Sequence, residues 1–182
     1  KQILGSSIND KQWGQAQLPV AMGGLGLRGA VDHSAGAYVS SVNASESLKE
    51  GLLPHGNVQV DITNAMALLR GKVDELAPEE VAGMTQKMIS LEIDKTLKVE
   101  LVQLLTDKRD KARIASLGLQ HAGDWLNVIP SPVLGLHVRP QEFRFSVLYR
   151  LGAPIYPSAG LCPACKKDSD RYGDHAIVCG SH

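Results

Sequence analysis

Residues 85–106 read Thr85-Gln86-Lys87-Met88-Ile89-Ser90-Leu91-Glu92-Ile93-Asp94-Lys95-Thr96-Leu97-Lys98-Val99-Glu100-Leu101-Val102-Gln103-Leu104-Leu105-Thr106, the longest helical pattern in the chain. Met88, Leu91, Leu97, Leu101 and Leu104 trace one apolar face, with Lys87, Asp94, Lys95 and Lys98 off it. The pattern continues helically from Asp107 to Leu117 through the densest basic stretch, Lys108, Arg109, Lys111 and Arg113. Upstream, residues 58–73 carry an apolar stripe of Ile62, Ala65, Met66 and Leu69. Pro78-Glu79-Glu80 then has the form of a helix start, with proline first and acids in the first turn. Small and apolar residues over 30–41 predict a close-packed helix. Asn43 with Glu46 reads as a capping box that restarts a short one, ended by Leu53-Pro54-His55-Gly56. Downstream, Pro130-Ser131-Pro132 forbids helix, residues 133–138 are a short strand candidate, and Pro140-Gln141-Glu142 caps a last helix reaching Leu151. Helices dominate, and no segment repeats.

The end of the chain follows a different logic. All three cysteines fall within Cys162-Pro163-Ala164-Cys165 and Cys179, together with His175 and the terminal His182. Three thiols cannot form a closed set of disulfides, but three thiolates and one imidazole complete a tetrahedral zinc shell. Cys162-x2-Cys165 supplies two ligands from one tight turn. His175-x3-Cys179 places two more about one helical turn apart, after Gly173-Asp174 as turn and N-cap. Cys179-x2-His182 is also legal zinc spacing, so spacing leaves His175 and His182 as alternative fourth ligands. The expected fold class is mainly α: an irregular helical domain with a Gly-rich N-terminal loop and a small C-terminal CCHC zinc knuckle.

With 182 residues, 43 % hydrophobic and 21 % charged, the chain has the composition of a globular protein and is not disordered. Its formal net charge is zero, so a polyanionic partner would need a local basic face. No apolar run approaches the ~18 residues that span a bilayer, and no signal peptide opens the chain. Thiols at metal-ligand spacing fit a reducing compartment, so an intracellular location, nucleus or cytoplasm, is expected. A first residue of Lys1 and a last residue that could ligate metal give the chain the look of a piece of a longer polypeptide.

Other constellations carry less. Gly24-x-Gly26-x-x-Gly29 matches a dinucleotide fingerprint in form, but no strand is expected before it, and a structural loop is the reading. Trp13 and Trp125 read as anchored core indoles, with a stacking role as the alternative. His33, His55, His121 and His137 have no second ligand at metal spacing and read as structural. No catalytic residue is expected. The basic run from Lys108 to Arg113 is interleaved with Asp107 and Asp110 and reads first as a solvated helix face; if nucleic acid binds, the cations are Lys108, Arg109, Lys111 and Arg113, with Lys166, Lys167 and Arg171 around the knuckle.

Three stretches resemble one family in the right order. Trp13-Gly14-Gln15-Ala16-Gln17-Leu18-Pro19-Val20 with Gly23-Gly24-Leu25-Gly26-Leu27-Arg28 is similar to the segment after the polymerase core in non-LTR retrotransposon reverse transcriptases. Trp125-Leu126-Asn127-Val128-Ile129-Pro130-Ser131, Glu142-Phe143-Arg144 and Arg150-Leu151-Gly152 resemble the helical region that follows. Cys162-x2-Cys165, Asp170 and Gly173-Asp174-His175-Ala176 with Cys179 resemble the family's zinc knuckle. The resemblance implies residues 1–29 as an extended, Gly-rich segment after the polymerase core, 30–151 as a helical thumb and linker, and 152–182 as the knuckle. It also implies His175 rather than His182 as the fourth ligand. The parent would be an RNA-directed DNA polymerase, with an endonuclease domain often following the knuckle in such elements. This chain has no Asp-Asp pair, so the palm motif falls on none of its residues and the chain is expected to be inert alone. The implied function is a non-catalytic part that grips and positions RNA or DNA weakly and without sequence preference, holding a structural Zn2+. The alternative is a stand-alone zinc-stabilised helical adaptor that binds protein.

Overall fold

The computed structural model describes residues 5, 7–52, 60–73 and 78–180. It is mainly helical: eight α-helices and a two-stranded ribbon among the described residues. The chain packs as two compact units, Arg28–Glu100 and a second made from Lys1–Leu27 with Leu101–His182. The second unit thus draws on both ends of the chain, and the stretch 30–151 is divided between the two. No helix among the described residues is long and apolar enough to cross a membrane.

In the unit Arg28–Glu100, α2 (Ala30–Leu52) packs on α3 (Thr63–Arg70) and on the one-turn α4 (Pro78–Ala82). The core is Val39, Leu69, Val73, Val81, Ile89 and Ile93, with Ile62, Ala65 and Met66 of the expected stripe packed against it. Helix α2 does not restart at Asn43, contrary to the capping-box reading. The backbone continues, and the Asn43 amide reaches across to the Val81 carbonyl at 3.4 Å. Its partner is tertiary, so the box pattern was incidental. The expected break at residues 53–56 lies outside the described residues, as does His55.

Helix α5 (Gln86–Leu104) forms where the sequence predicts it, but of the expected face only Leu97 and Leu101 are turned inward. Ile89 and Ile93 are fully buried and Leu101 and Leu105 nearly so, whereas Met88, Leu91 and Leu104 are exposed. Asp94, read as solvent-facing, is fully buried; its Oδ2 accepts from Arg28 Nη2 at 2.6 Å, and His33 Nε2 stands 3.4 Å from Oδ1. The leucines misled because α5 carries two apolar stripes. The buried one follows the β-branched pair Ile89 and Ile93, which meets the Cβ-free surface of Gly36 on α2, where a methyl would stand 2.7 Å from the Ile89 side chain.

The other unit begins with a correction. Residues 10–17, within the stretch expected to be extended, form α1 (Asp10–Gln17). Asn9 Oδ1 accepts from the Gln12 N–H and Gln12 Oε1 accepts from the Asn9 N–H, both at 2.9 Å, a reciprocal cap that overrides the glycine within the helix. The glycine loop after it is structural. Among the described residues no strand precedes it; Val20–Met22 is a single 3-10 turn. Two buried polar side chains hold it from beneath. Gln15 Nε2 donates to the carbonyls of Gly23 (2.9 Å) and Arg150 (2.8 Å). The Arg150 guanidinium donates to Gly24 (3.0 Å), Ala122 (3.0 Å) and Val20 (2.7 Å).

Asp107 ends the first long helical pattern and caps the next, accepting from the Arg109 N–H at 3.1 Å at the start of α6 (Lys108–Leu117). The strand candidate at 133–138 is not a strand. Ser131 and Leu136 exchange a pair of 2.9 Å bonds around a tight turn instead, because the prolines lack the N–H a ladder needs and Gly135 donates within the turn, to Pro132. Pro140 opens α7 (Pro140–Arg150), where Glu142 accepts from the Arg139 N–H at 3.0 Å. Val147 and Leu151 bury against Ala16 of α1.

Candidate metal centre

The C-terminal segment folds around its cysteines. Strand β1 (Gly160–Leu161) pairs antiparallel with β2 (Asp168–Ser169), Leu161 opposite Asp168. Between them Cys162-Pro163-Ala164-Cys165 forms the turn: the Cys162 N–H donates to the Lys167 carbonyl at 2.8 Å, and the Lys166 N–H returns to Cys162 at 2.9 Å. Lys166 takes a φ of 60°, the left-handed conformation that lets the turn close so tightly. From the other side comes α8 (Asp174–Val178), with His175 in its first turn and Cys179 just past its end.

These elements bring the ligand atoms of Cys162, Cys165, His175 and Cys179 within 4.8 Å of one another. Cys162 Sγ lies 3.8 Å from Cys179 Sγ, and Cys165 Sγ lies 3.2 Å from His175 Nε2. A tetrahedral ion with metal–sulfur bonds of about 2.3 Å separates its sulfur ligands by about 3.8 Å. The spacing therefore fits a single metal ion, and the set needs no fifth residue. His182, the alternative fourth ligand, lies outside the described residues.

The surroundings bias the thiols in opposite directions. Backbone N–H groups of Cys165 and Ala164 hold the Cys162 thiol down at about 6, with His175 adding to the effect. At Cys165 the Lys167 N–H works the same way, but desolvation and the neighbouring Cys162 and Cys179 sulfurs outweigh it and push the thiol up. The Cys162 thiolate is thus favoured and Cys165 resists, as expected where several sulfurs share a space that a cation would neutralise.

Asp170 shapes the segment that delivers His175. Its Oδ1 accepts from the N–H groups of Tyr172 (2.7 Å) and Asp174 (3.2 Å), and its Oδ2 from His175 (2.7 Å). Burial pushes the Asp170 carboxyl up, but these backbone donors more than reverse it and hold it below the ordinary carboxylate value. Spacing alone did not single out this residue; only its place in the family-like pattern marks it.

The cations expected to contact nucleic acid separate into two groups. Lys108, Lys111, Lys166, Lys167 and Arg171 are exposed. Arg109 and Arg113 are engaged internally. Arg109 grips the Asp174 carboxylate with Nε and Nη2 and lies 4.3 Å above the Tyr172 ring. Arg113 turns inward, donating to the Arg150 carbonyl and, at 2.8 Å, to Gln15 Oε1, with Asp110 beside it. The two arginines are four apart on α6, and that inward face was readable only once its partners from α1, α7 and α8 were placed.

Neither tryptophan is the buried anchor expected of it: Trp13 is 48 % and Trp125 36 % exposed. Trp125 meets Phe143 edge-on, ring centres 6.0 Å apart, on the wall of a cleft of about 580 Å³ that Phe145, Tyr149, Ile155 and Tyr156 also line. Gly123 and Asp124 place the indole at a surface bend, where the helices do not close over it.

Comparisons with family models, with curated proteins and with solved structures find no match to this chain.

Proposed function

We propose that this chain is the non-catalytic C-terminal part of a non-LTR-type RNA-directed DNA polymerase, a helical body that grips and positions nucleic acid and ends in a zinc knuckle. The observation that carries the reading is the convergence of Cys162, Cys165, His175 and Cys179 on one point. Three thiolates and an imidazole are the donors zinc takes in structural sites, and softness and tetrahedral spacing favour it over hard cations. Four protein ligands leave no place for substrate or water, so the ion's work is to hold the fold. Lys166, Lys167 and Arg171 stand exposed around it, and Lys108 and Lys111 stand exposed on α6, cations available to phosphate on a chain of zero net charge.

The test has two parts. Elemental analysis of protein purified without chelator is expected to give one zinc per chain, lost in His175→Ala. Titration with labelled single- and double-stranded nucleic acid at low salt is expected to show weak binding without sequence preference. A metal-free protein, or no association at low salt, removes the corresponding half of the reading.

One observation favours the second reading, an adaptor that binds protein. Residues 114–138 contain a single formally charged side chain, Asp124. They expose Leu119, Ile129, Val133 and Leu134, the last three between 72 % and 95 %. An apolar surface of that kind suits a protein partner better than a polyanion. Zinc binding without nucleic-acid binding would make the adaptor the better account.

A further inference from the structure

We propose that Arg109 is a positioning residue for the metal centre, holding residues 170–175 from α6 in the conformation that presents His175 to the three cysteines. The inference rests on the zinc reading above.

The segment that carries His175 has few supports of its own. Helix α8 is five residues long, and its N-cap residue, Gly173, has no side chain to cap it. A helix so short does not persist by itself. What ties it down is polar. Asp170 collects the N–H groups of Tyr172, Asp174 and His175 and so sets the local bend. That arrangement fixes the segment internally but does not attach it to the helical body.

The Ile155 and Tyr156 N–H groups, just after α7, donate to the Arg171 carbonyl at 2.9 and 3.0 Å, and Arg109 makes the side-chain attachment from α6. Its guanidinium donates through Nε and Nη2 to both oxygens of Asp174, the residue immediately before His175. Its face lies 4.3 Å over the Tyr172 ring. An exposed ion pair on flexible side chains would contribute little. This one differs in being two-pronged and stacked, and the Arg109 side chain is only 24 % exposed. The fork fixes the orientation of Asp174 as well as its position, and through the next peptide the direction of the imidazole. A ligand already in place spares the metal the ordering of residues 170–175 on binding. Outer-shell partners of this kind change metal affinity by about 10–100-fold.

The pair also accounts for the fate of Arg109. A cation committed to Asp174 and Tyr172 is withdrawn from any phosphate, so it serves the knuckle and not a nucleic-acid backbone.

The experiment measures zinc dissociation constants by competition with a chromophoric chelator in the parent, Arg109→Ala, Arg109→Lys, Asp174→Asn and Arg109→Ala/Asp174→Asn. Urea unfolding is followed with and without metal, and cobalt(II) absorption bands report the ligand geometry. Arg109→Ala and Asp174→Asn are each expected to weaken zinc about 10–100-fold, with the double variant no weaker than the worse single one. Arg109→Lys, which keeps the charge but loses the fork, falls between, and the cobalt bands shift in the alanine variant. Tyr172→Leu removes the ring beneath the guanidinium and keeps both charges; it serves if Arg109→Ala does not fold and is expected to weaken zinc in the same direction. Equal losses of unfolding stability with and without metal mark a merely structural pair and overturn the proposal, as does parental zinc affinity in these variants. A parent that binds no zinc instead overturns the reading on which the proposal rests.

Discussion

Arg150 is the residue on which the glycine loop depends most. It is fully buried, yet its partners are three main-chain carbonyls, those of Gly24, Ala122 and Val20. Burial pushes the guanidinium down from its ordinary value, but it remains a cation solvated by carbonyl dipoles in place of water. Arg150→Met preserves much of the stem and strands all three acceptors. It is expected to lower unfolding stability by about 3 kcal/mol or more, read from urea midpoints. Arg150→Lys rescues little, because an ammonium cannot span three acceptors set for a planar fork. Gly24 is constrained by the same packing. A Cβ there would overlap the Leu18 carbonyl and stand 2.6 Å from the Gln15 carbonyl oxygen, so Gly24→Ala is expected to cost about 4 kcal/mol or more and to leave little folded protein on expression.

At the scale of elements, the two stripes of α5 give a direct comparison. Ile93→Ala empties a fully buried site and is expected to cost about 2–5 kcal/mol, whereas Leu91→Ala, on the exposed stripe, should stay within about 1 kcal/mol. Equal losses would restore the face that leucine spacing suggests. The turn into α8 has a pH signature. Asp170 is held below its ordinary value in the folded protein, so its contribution is complete above the unfolded value of about 3.9 and is lost as pH falls through the folded one. Asp170→Ala is therefore expected to cost about 1–2 kcal/mol at pH 7. The deficit relative to the parent should shrink below about pH 4, checked by urea unfolding across that range.

At the scale of the whole chain, the two units should respond differently to loss of metal. Zinc ligation in structural sites is worth on the order of 10 kcal/mol, so chelation is expected to unfold the knuckle. The unit Arg28–Glu100 holds none of Cys162, Cys165, His175 and Cys179 and has its own core of Val39, Leu69, Ile89 and Ile93, so its helices should keep their protection in hydrogen exchange. Loss of protection throughout would show that the knuckle supports more than its own segment. Nucleic-acid binding, with Arg109 and Arg113 engaged elsewhere, falls to five exposed cations: Lys108, Lys111, Lys166, Lys167 and Arg171. If about three phosphates are neutralised at once, the log–log salt slope on duplex DNA should be near −3, and shallower on single strands. Lys166→Ala with Lys167→Ala should flatten it by up to about 2, while any slope that survives removal of all five cations locates the contact elsewhere.

What the sequence by itself determined is local. Helical periodicity marked α5 and α6, proline with an acidic first turn marked α4 and α7, and the crowding of three cysteines with His175 marked the metal centre, because each signal lies within a few residues of what it specifies. Even there, spacing left His175 and His182 open, and the Asp170 turn into α8 was needed to bring His175 within reach of Cys165. Only the tertiary structure decided which stripe of α5 is inside, since both are apolar and the choice is made by Gly36 on another helix. The same holds for Arg109, Arg113 and Arg150. Sequence shows three cations of one kind, and their surroundings assign one to a carboxylate beside the metal centre, one to the α1–α7 packing and one to the carbonyls of a glycine loop. A charge is written in the chain, but its work depends on which dipoles surround it, and some of those lie far along the chain: 65 positions from Arg109 to Asp174, 98 from Arg113 to Gln15 and 126 from Arg150 to Gly24.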